Sequence, residues 1–271
     1  MTTETLSHQR EAAFHDAWAN STSLGDVLVR ECFEAPTALE NQFILSRMGP
    51  LSGKKLLDIG AGLGESSVYF ALQGANVTVV DISPQMVATA RDLGRKFGVQ
   101  LEGIVASAEN LNLTADTYDI VYAANTIHHV QDRAALFQQL RRALKPGGMF
   151  FSYDPLAYNP LINIYRRMAT AVRTTDEAPL TVADIRMARE YFDQAQHREF
   201  WISALFLFVK YYLVDRVHPN QDRYWKRILR EKSERLRWWF PLRALDGWLT
   251  RIPLVRWMAW NVVIWGQKPL E

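Results

Sequence analysis

The 271-residue chain holds a single cysteine, Cys32. That excludes an internal disulfide framework, suits a reducing compartment, and leaves Cys32 to be read as a small buried apolar residue. Long hydrophobic runs are missing too. The longest apolar stretch, 201–209, is far short of the ~20 residues that span a bilayer. Residues 1–12 are polar and no apolar segment follows a basic start, so no secretory leader is read there. These absences together point to the cytoplasm. With no internal repeat and no low-complexity linker, a hydrophobic content of 48% against 22% charged residues indicates a globular chain with a real core, organised as one domain.

Charge is present but unevenly spread. The net +2 conceals 14 Lys and Arg against 7 Asp and Glu from Arg198 onward, and 17 against 22 before it. Eight of the nine tryptophans also lie beyond residue 200. Basic side chains mixed with tryptophan suit an anionic membrane surface or a greasy substrate port, so peripheral contact with the inner membrane surface is expected through 201–260. Nucleic acid is not expected, because no recognised binding motif accompanies the charge.

Apolar spacing of three and four predicts helices over 8–20 and 33–48, followed by breaks at Gly49-Pro50 and Ser52-Gly53. Strands at 55–59, 76–80, 101–105, 118–123 and 149–153 then alternate with helices at 65–72, 84–97 and 132–143. Ser83 is the expected N-cap of the second of these helices, with Pro84 at its first position. Such alternation implies a parallel sheet with right-handed crossovers. Beyond residue 154 helical periodicity dominates, over 160–171, 182–189, 202–214, 222–237 and 241–250. Sixth and seventh strands are expected at 191–198 and 260–266, with a helical layer between them.

The sharpest motif is Asp58-Ile59-Gly60-Ala61-Gly62-Leu63-Gly64-Glu65, after one strand and before a helix. Its glycines let the backbone turn tightly and approach a ligand where a Cβ would collide. Asp81, 23 residues after Asp58, ends the second strand and places a carboxylate beside the loop. An acid in that position can accept both hydroxyls of a ribose. Glycine triplet, strand-end acid and sheet pattern together point to an adenosine-bearing ligand.

These residues resemble the class I S-adenosylmethionine (SAM)-dependent methyltransferases with a short Asp-x-Gly-x-Gly-x-Gly motif. The resemblance covers 55–153, including Val80-Asp81-Ile82-Ser83-Pro84-Gln85-Met86, Ala108-Glu109-Asn110-Leu111, Tyr118-Asp119-Ile120-Val121 and Leu144-Lys145-Pro146-Gly147-Gly148. It implies SAM as cofactor, held by Asp58, Gly60, Gly62, Gly64, Asp81, Ile82, Met86, Ser107, Ala108 and Asn125. Gly60 and Gly62 would pass beneath the methionine portion, Asp81 would bind the ribose, Ile82 and Met86 would flank the adenine, and Asn125 would face the aminocarboxylate side. Ser107 stands where many relatives carry an aspartate, so its hydroxyl or a backbone group would have to substitute there.

Methyl transfer asks the protein mainly for orientation and a dry pocket, with a general base only when the acceptor keeps a proton. His128 and His129 follow the fourth strand, at the ligand end of the sheet. Either is a candidate base, although in the resembling family paired histidines here often support the loop. Adjacent residues diverge on a helix or strand, so no shared metal is expected. Tyr153, Asp154 and Tyr158 follow the fifth strand. Arg166 and Arg173 precede Thr174-Thr175-Asp176-Glu177 and could hold an anionic substrate group, or form a salt-bridge network.

The expected fold is α/β: a Rossmann-like, seven-stranded, mostly parallel sheet with helices on both faces and a helical cap before the last strand. Residues 1–271 form a single domain, with a cofactor-binding core of about 50–155, a substrate cap of about 156–257 and the last strand at 258–268. The expected activity is methylation of an oxygen or carbon atom of a small lipophilic acceptor of quinone, polyketide or terpenoid type. Two rivals are a nicotinamide-dependent oxidoreductase and a non-catalytic protein that binds a membrane or partner. The glycine spacing departs from G-x-G-x-x-G, which counts against the first. Intact Gly60, Gly62, Gly64 and Asp81 count against the second.

Overall fold

Leu56, Leu57 and Ile59 expose no surface, so β1 (Lys55–Ile59) is buried on both faces, as a central parallel strand requires. The computed structural model describes residues 3–174 and 177–270, with side chains from residue 8 onward, so Thr175 and Asp176 lie outside the described residues. Parallel to β1 run β2 (Asn76–Asp81) on one side and β4 (Tyr118–Ala124) on the other. Further out lie β3 (Leu101–Val105), against β2, and β5 (Leu144–Pro155), against β4. Two more strands, β6 (Asp193–Phe200) and β7 (Asn261–Gln267), complete the order β3-β2-β1-β4-β5-β7-β6. β7 is antiparallel to both its neighbours. The chain leaves β1 in opposite directions toward β2 and β4, which opens a crevice at the carboxyl ends of these strands.

The helices are α1 (Thr3–Ser21), α2 (Glu31–Glu34), α3 (Leu39–Met48), α4 (Glu65–Leu72), α5 (Pro84–Lys96), α6 (Arg133–Ala143), α7 (Pro160–Met168), α8 (Val182–Tyr191), α9 (Phe206–Leu213), α10 (Tyr224–Arg227) and α11 (Phe240–Leu249). They cover both faces of the sheet. Alternate strand residues divide into two cores, Leu56, Val77, Ile120 and Phe151 on one side and Leu57, Val80, Val121 and Phe150 on the other. Local chemistry sets the helix starts. Ser83 Oγ accepts from the Met86 amide at 3.0 Å, Asp132 from Ala135 at 2.9 Å, and Asn159 from Ile162 at 3.1 Å.

The expected fold is borne out, with local corrections. The helix expected over 33–48 is two helices, because Pro36 forces Ala35 extended (ψ 143°) and ends α2. The helix expected over 222–237 is a series of short turns, α10, Ile228–Arg230 and Ser233–Leu236. The helix expected over 160–171 stops at Met168 and resumes as a 3-10 turn at Thr170–Val172. Residues 156–257 supply the edge strand β6 as well as helices.

Gly64 ends the glycine loop with φ +87°, and a Cβ there would come within 2.6 Å of Ala90 Cβ on α5. Gly64→Ala is therefore expected to destabilise the protein by about 1–3 kcal/mol, from backbone strain and overpacking. Thermal unfolding measures this, and an unchanged midpoint would show that α4 and α5 are not packed this closely.

Candidate functional site

A cavity of about 300 Å³ opens at the carboxyl ends of β1, β2 and β4. The glycine loop forms one wall, with Gly60 and Gly62 at φ +66° and +55°, where a side chain is strained. A Cβ on Gly60 would collide with Thr126, whereas one on Gly62 would meet no protein atom within 4 Å. Asp81 binds this loop to the next one. Its Oδ2 accepts from the Gly62 amide and its Oδ1 from the Ser83 amide, each at 2.9 Å. Burial raises the Asp81 pKa and these two bonds oppose the rise. Asp58 accepts from Ser67 Oγ at 2.5 Å, yet burial pushes its carboxyl up to about 7.

Over the opening lies α1, a contribution absent from the sequence expectations. Asp16 Oδ1 accepts from Ser83 Oγ at 2.5 Å and from the Gln85 amide at 3.2 Å, at the start of α5. His8 Nε2 meets Glu109 Oε2 at 2.7 Å. Glu11 Oε1 lies 2.9 Å from both His15 Nε2 and His129 Nδ1. Burial opposes ionisation of Glu11, but its hydrogen bonds with His129 and His15 overcome that and hold its carboxyl below the usual range. Trp18 packs edge-on against Trp225, with centroids 5.6 Å apart, and Lys226 pairs with Glu65 at the first position of α4. Glu11, His15 and Trp18 sit four and three residues apart, so they share a helix face. That spacing was the available signal.

A second polar group occupies the wall after β4. His128 Nδ1 lies 2.7 Å from Asp154 Oδ1, which also accepts from the His128 amide at 3.1 Å. Burial penalises charge on both side chains. It holds His128 well below the usual imidazole value and pushes Asp154 up to about 8. Near neutrality both side chains are thus uncharged: Oδ1, which takes the His128 amide, also accepts from Nδ1–H, and the carboxyl proton lies on Oδ2. His128 Nε2 is 4.0 Å from Glu177, whose carboxylate is also met by Arg166 and Arg173. The two histidines do not diverge as expected. A 3-10 turn, Ile127–His129, brings their ring centroids to 4.1 Å, and ligand atoms of His128, His129 and Glu177 lie within 4.8 Å of one another.

Of the residues singled out from sequence, Asp58, Gly60, Gly62, Asp81, Ile82, Ser107, Ala108, Asn125, His128, His129, Tyr153 and Arg173 line the cavity. Asn125 adopts φ +52° and donates its amide to the Tyr153 carbonyl at 2.8 Å. Ser107 Oγ accepts from the Glu109 amide at 3.3 Å.

The others do not line it. Gly64 packs on α5, and Met86 is fully buried in the core. Asp154 lies behind His128. Arg166 lies behind Glu177. The Tyr158 hydroxyl accepts from the Val182 amide at 3.0 Å, away from the cavity. The tryptophans divide as well. Trp239 is core and donates to the Ala204 carbonyl at 3.0 Å, Trp238 and Trp248 are exposed, and the wall is built by Trp18, Trp225 and Trp260. The far end is polar, with Asn261 Nδ2 donating to the buried Glu40 at 2.6 Å.

Residues 57–152 match the family model described as a methyltransferase domain. The ubiquinone biosynthesis O-methyltransferase of Xylella fastidiosa (strain 9a5c) is 35% identical over 108 residues, 40% of this chain and 44% of that protein. Phosphoethanolamine N-methyltransferase 1 of Triticum aestivum is 38% identical over 106 residues, 38% of this chain and 21% of that protein. The chain thus spans less than half the length of either relative. Among solved structures, Haemonchus contortus phosphoethanolamine N-methyltransferase 2 in complex with S-adenosyl-L-methionine matches with a TM-score of 0.60 at 21% identity. The match covers 94% of this chain and 60% of that one, a likeness of fold.

Glu11→Gln tests the bond between α1 and the wall after β4. Because the folded-state pKa of Glu11 is depressed, its stabilisation is present above the ordinary value of 4.5 and is lost as pH falls through the folded value. The variant should unfold at a lower temperature than wild type at pH 7, and the gap should close on acidification below pH 4.5. A gap that stays constant with pH would mean the carboxylate is not paired.

Proposed function

We propose, because residues 57–152 match the methyltransferase-domain family model, that this chain is a class I SAM-dependent methyltransferase acting on an oxygen or carbon atom of a small, largely lipophilic acceptor of quinone, polyketide or terpenoid type. The observation that carries the reading is one cavity in which the glycine loop and Asp81 face aromatic walls and the His128–Asp154 pair. The SAM cofactor, once bound, supplies the methyl group on a positively charged sulfur. This chain's residues fit such a ligand. Asp81 spends one bond on each oxygen holding two backbone amides, which leaves lone pairs on both for ribose hydroxyls. Beside Gly62 the backbone borders open space rather than protein.

The acceptor side is apolar where Phe14, Trp18, Trp225, Leu229 and Trp260 line it. Those walls exclude water from the reacting groups. The similarity to a ubiquinone biosynthesis enzyme supports an acceptor of this kind. At the far end the acceptor meets Glu40 and Asn261. Asn261 Oδ1 is buried without a hydrogen-bond partner among the described residues, so an acceptor bearing a hydroxyl would satisfy it. With the imidazole's own proton on Nδ1, donated to Asp154 Oδ1, Nε2 keeps its lone pair on the side of Glu177 and the cavity. His128 is then the base that takes the acceptor's hydroxyl proton, and Asp154 positions it. A labelled-methyl transfer screen against quinols, catechols and terpenoid alcohols tests the acceptor class.

Asp81→Ala should weaken SAM binding by about tenfold or more, since each hydrogen bond to a charged acceptor contributes ~1.5–3 kcal/mol. Titration calorimetry on the folded variant measures this, and unaltered affinity would remove Asp81 from the ribose site.

His128→Asn should lower kcat by about 10²–10⁴-fold with SAM affinity retained, the usual span for a general base. Burial keeps His128 neutral on the acid side of the ordinary 6.5. Wild-type turnover should therefore persist below that pH and fall only as pH drops through the depressed value. A kcat unchanged in the variant would reduce His128 to a supporting residue.

A further inference from the structure

Helix α11 is packed the wrong way round for a water-facing helix. The one residue it buries is Asp246. That carboxylate accepts from the backbone amides of Ile202, Ser203 and Ala204 at 3.0, 2.6 and 3.2 Å, and from Ser203 Oγ at 2.6 Å. So α11 is held to the turn before α9 by a charged cap rather than by an apolar stripe. Phe240 packs on the core and Leu242 and Leu249 are half-buried, but Leu245 and Trp248, with Trp238 and Leu254 flanking the helix, point outward. Trp238 is 42% exposed, Leu245 43%, Trp248 59%, and Leu254 just beyond 84%. With exposed Pro241, positions 238, 241, 245 and 248 recur at three and four and form one stripe.

Around this stripe the exposed charge is mostly positive, with Glu234 beside Arg235 the exception. Arg235, Arg237, Arg243 and Arg251 are exposed. Arg243 and Arg251 lie close enough to Arg198, with Arg47, to join burial in lowering its pKa. From residue 235 to 270 the sole carboxylate is Asp246, and it is buried under backbone amides, so it offsets little at the surface. An apolar stripe bearing tryptophans and rimmed mostly by guanidiniums is complementary to an interface of acyl chains beneath anionic headgroups.

We infer that the outer face of α11 with the 251–254 turn docks onto an anionic phospholipid bilayer. The surface is narrower than the 201–260 span expected from sequence, because much of that span is core or cavity wall. The inference does not depend on the methyl-transfer reading, since it concerns a face that does not line the cavity.

Vesicle co-sedimentation of the full chain tests it, using phosphatidylcholine vesicles with and without one quarter phosphatidylglycerol, at low and high sodium chloride. Wild type should pellet with the anionic vesicles at low salt and be released as salt rises. Neutral vesicles should retain much less. Two double variants, Trp238→Ser with Trp248→Ser and Arg243→Glu with Arg251→Glu, should each lower partitioning by about tenfold or more, as expected when two such contacts are removed. Their unfolding temperature and SAM affinity should match wild type, which separates loss of docking from loss of fold or of the cofactor site. Absence of wild-type binding to anionic vesicles at low salt would overturn the inference, as would tryptophan-variant binding equal to wild type. Self-association abolished by both variants, without vesicle binding, would assign the face to a second copy of the chain instead.

Discussion

One carboxylate, Asp81, organises the ligand end of the sheet. It sits at the end of β2 and binds the amide of Gly62 in the loop after β1 and the amide of Ser83 in the loop after its own strand. Two loops that would otherwise sample many conformations are thereby fixed relative to each other. Ser83 then caps α5 and passes its hydroxyl proton toward Asp16 of α1. Glu11, one and a half turns back on that helix, reaches His129 beyond β4. A chain of polar contacts thus runs from the floor of the site over its roof to the opposite wall. Such connected contacts depend on every member being satisfied, since a buried polar group without a partner is costly.

The two walls differ in origin. The wall with the glycine loop is built from the ends of four strands successive in sequence, β1 to β4. The opposite wall draws Glu40 from α3, Trp225 and Lys226 from α10, and Trp260 and Asn261 from the entry to β7. Residues far apart along the chain meet there only after the sheet has formed. The family-model match follows the same division, for it covers 57–152 and stops short of Glu40, Trp225, Lys226, Trp260 and Asn261.

That division also explains how far the sequence could be read. Strand period, the glycine triplet and the N-cap at Ser83 are local signals, and the structure has them where the pattern predicts. The contribution of α1 was not seen because a polar helix advertises no partner, although Glu11, His15 and Trp18 share a face. Pro36 splits a helix that apolar spacing alone joins. Composition placed the tryptophans in one region but could not separate Trp239, locked to the Ala204 carbonyl, from Trp225 on the cavity wall. The histidine pair was misjudged because a 3-10 turn, rather than a helix or strand, carries it.

The insertion of β7 between β5 and β6 sets an order on assembly. Among the described strands β6 has no other partner, yet the residues that accept it arrive only after α9, α10 and α11 have been made. Until then β5 presents an unpaired edge, and β6, largely polar with Ala195 and Phe200 its only apolar residues, has no strand to pair with. A nascent chain in that state carries a finished glycine loop beside an exposed strand edge, a surface that invites wrong pairing. Completion of the last strand, which also brings Asn261 and Trp260 into place, closes the sheet and the cavity in one event. The segment that covers the β5 edge is therefore the one that supplies Trp260 and Asn261 to the cavity.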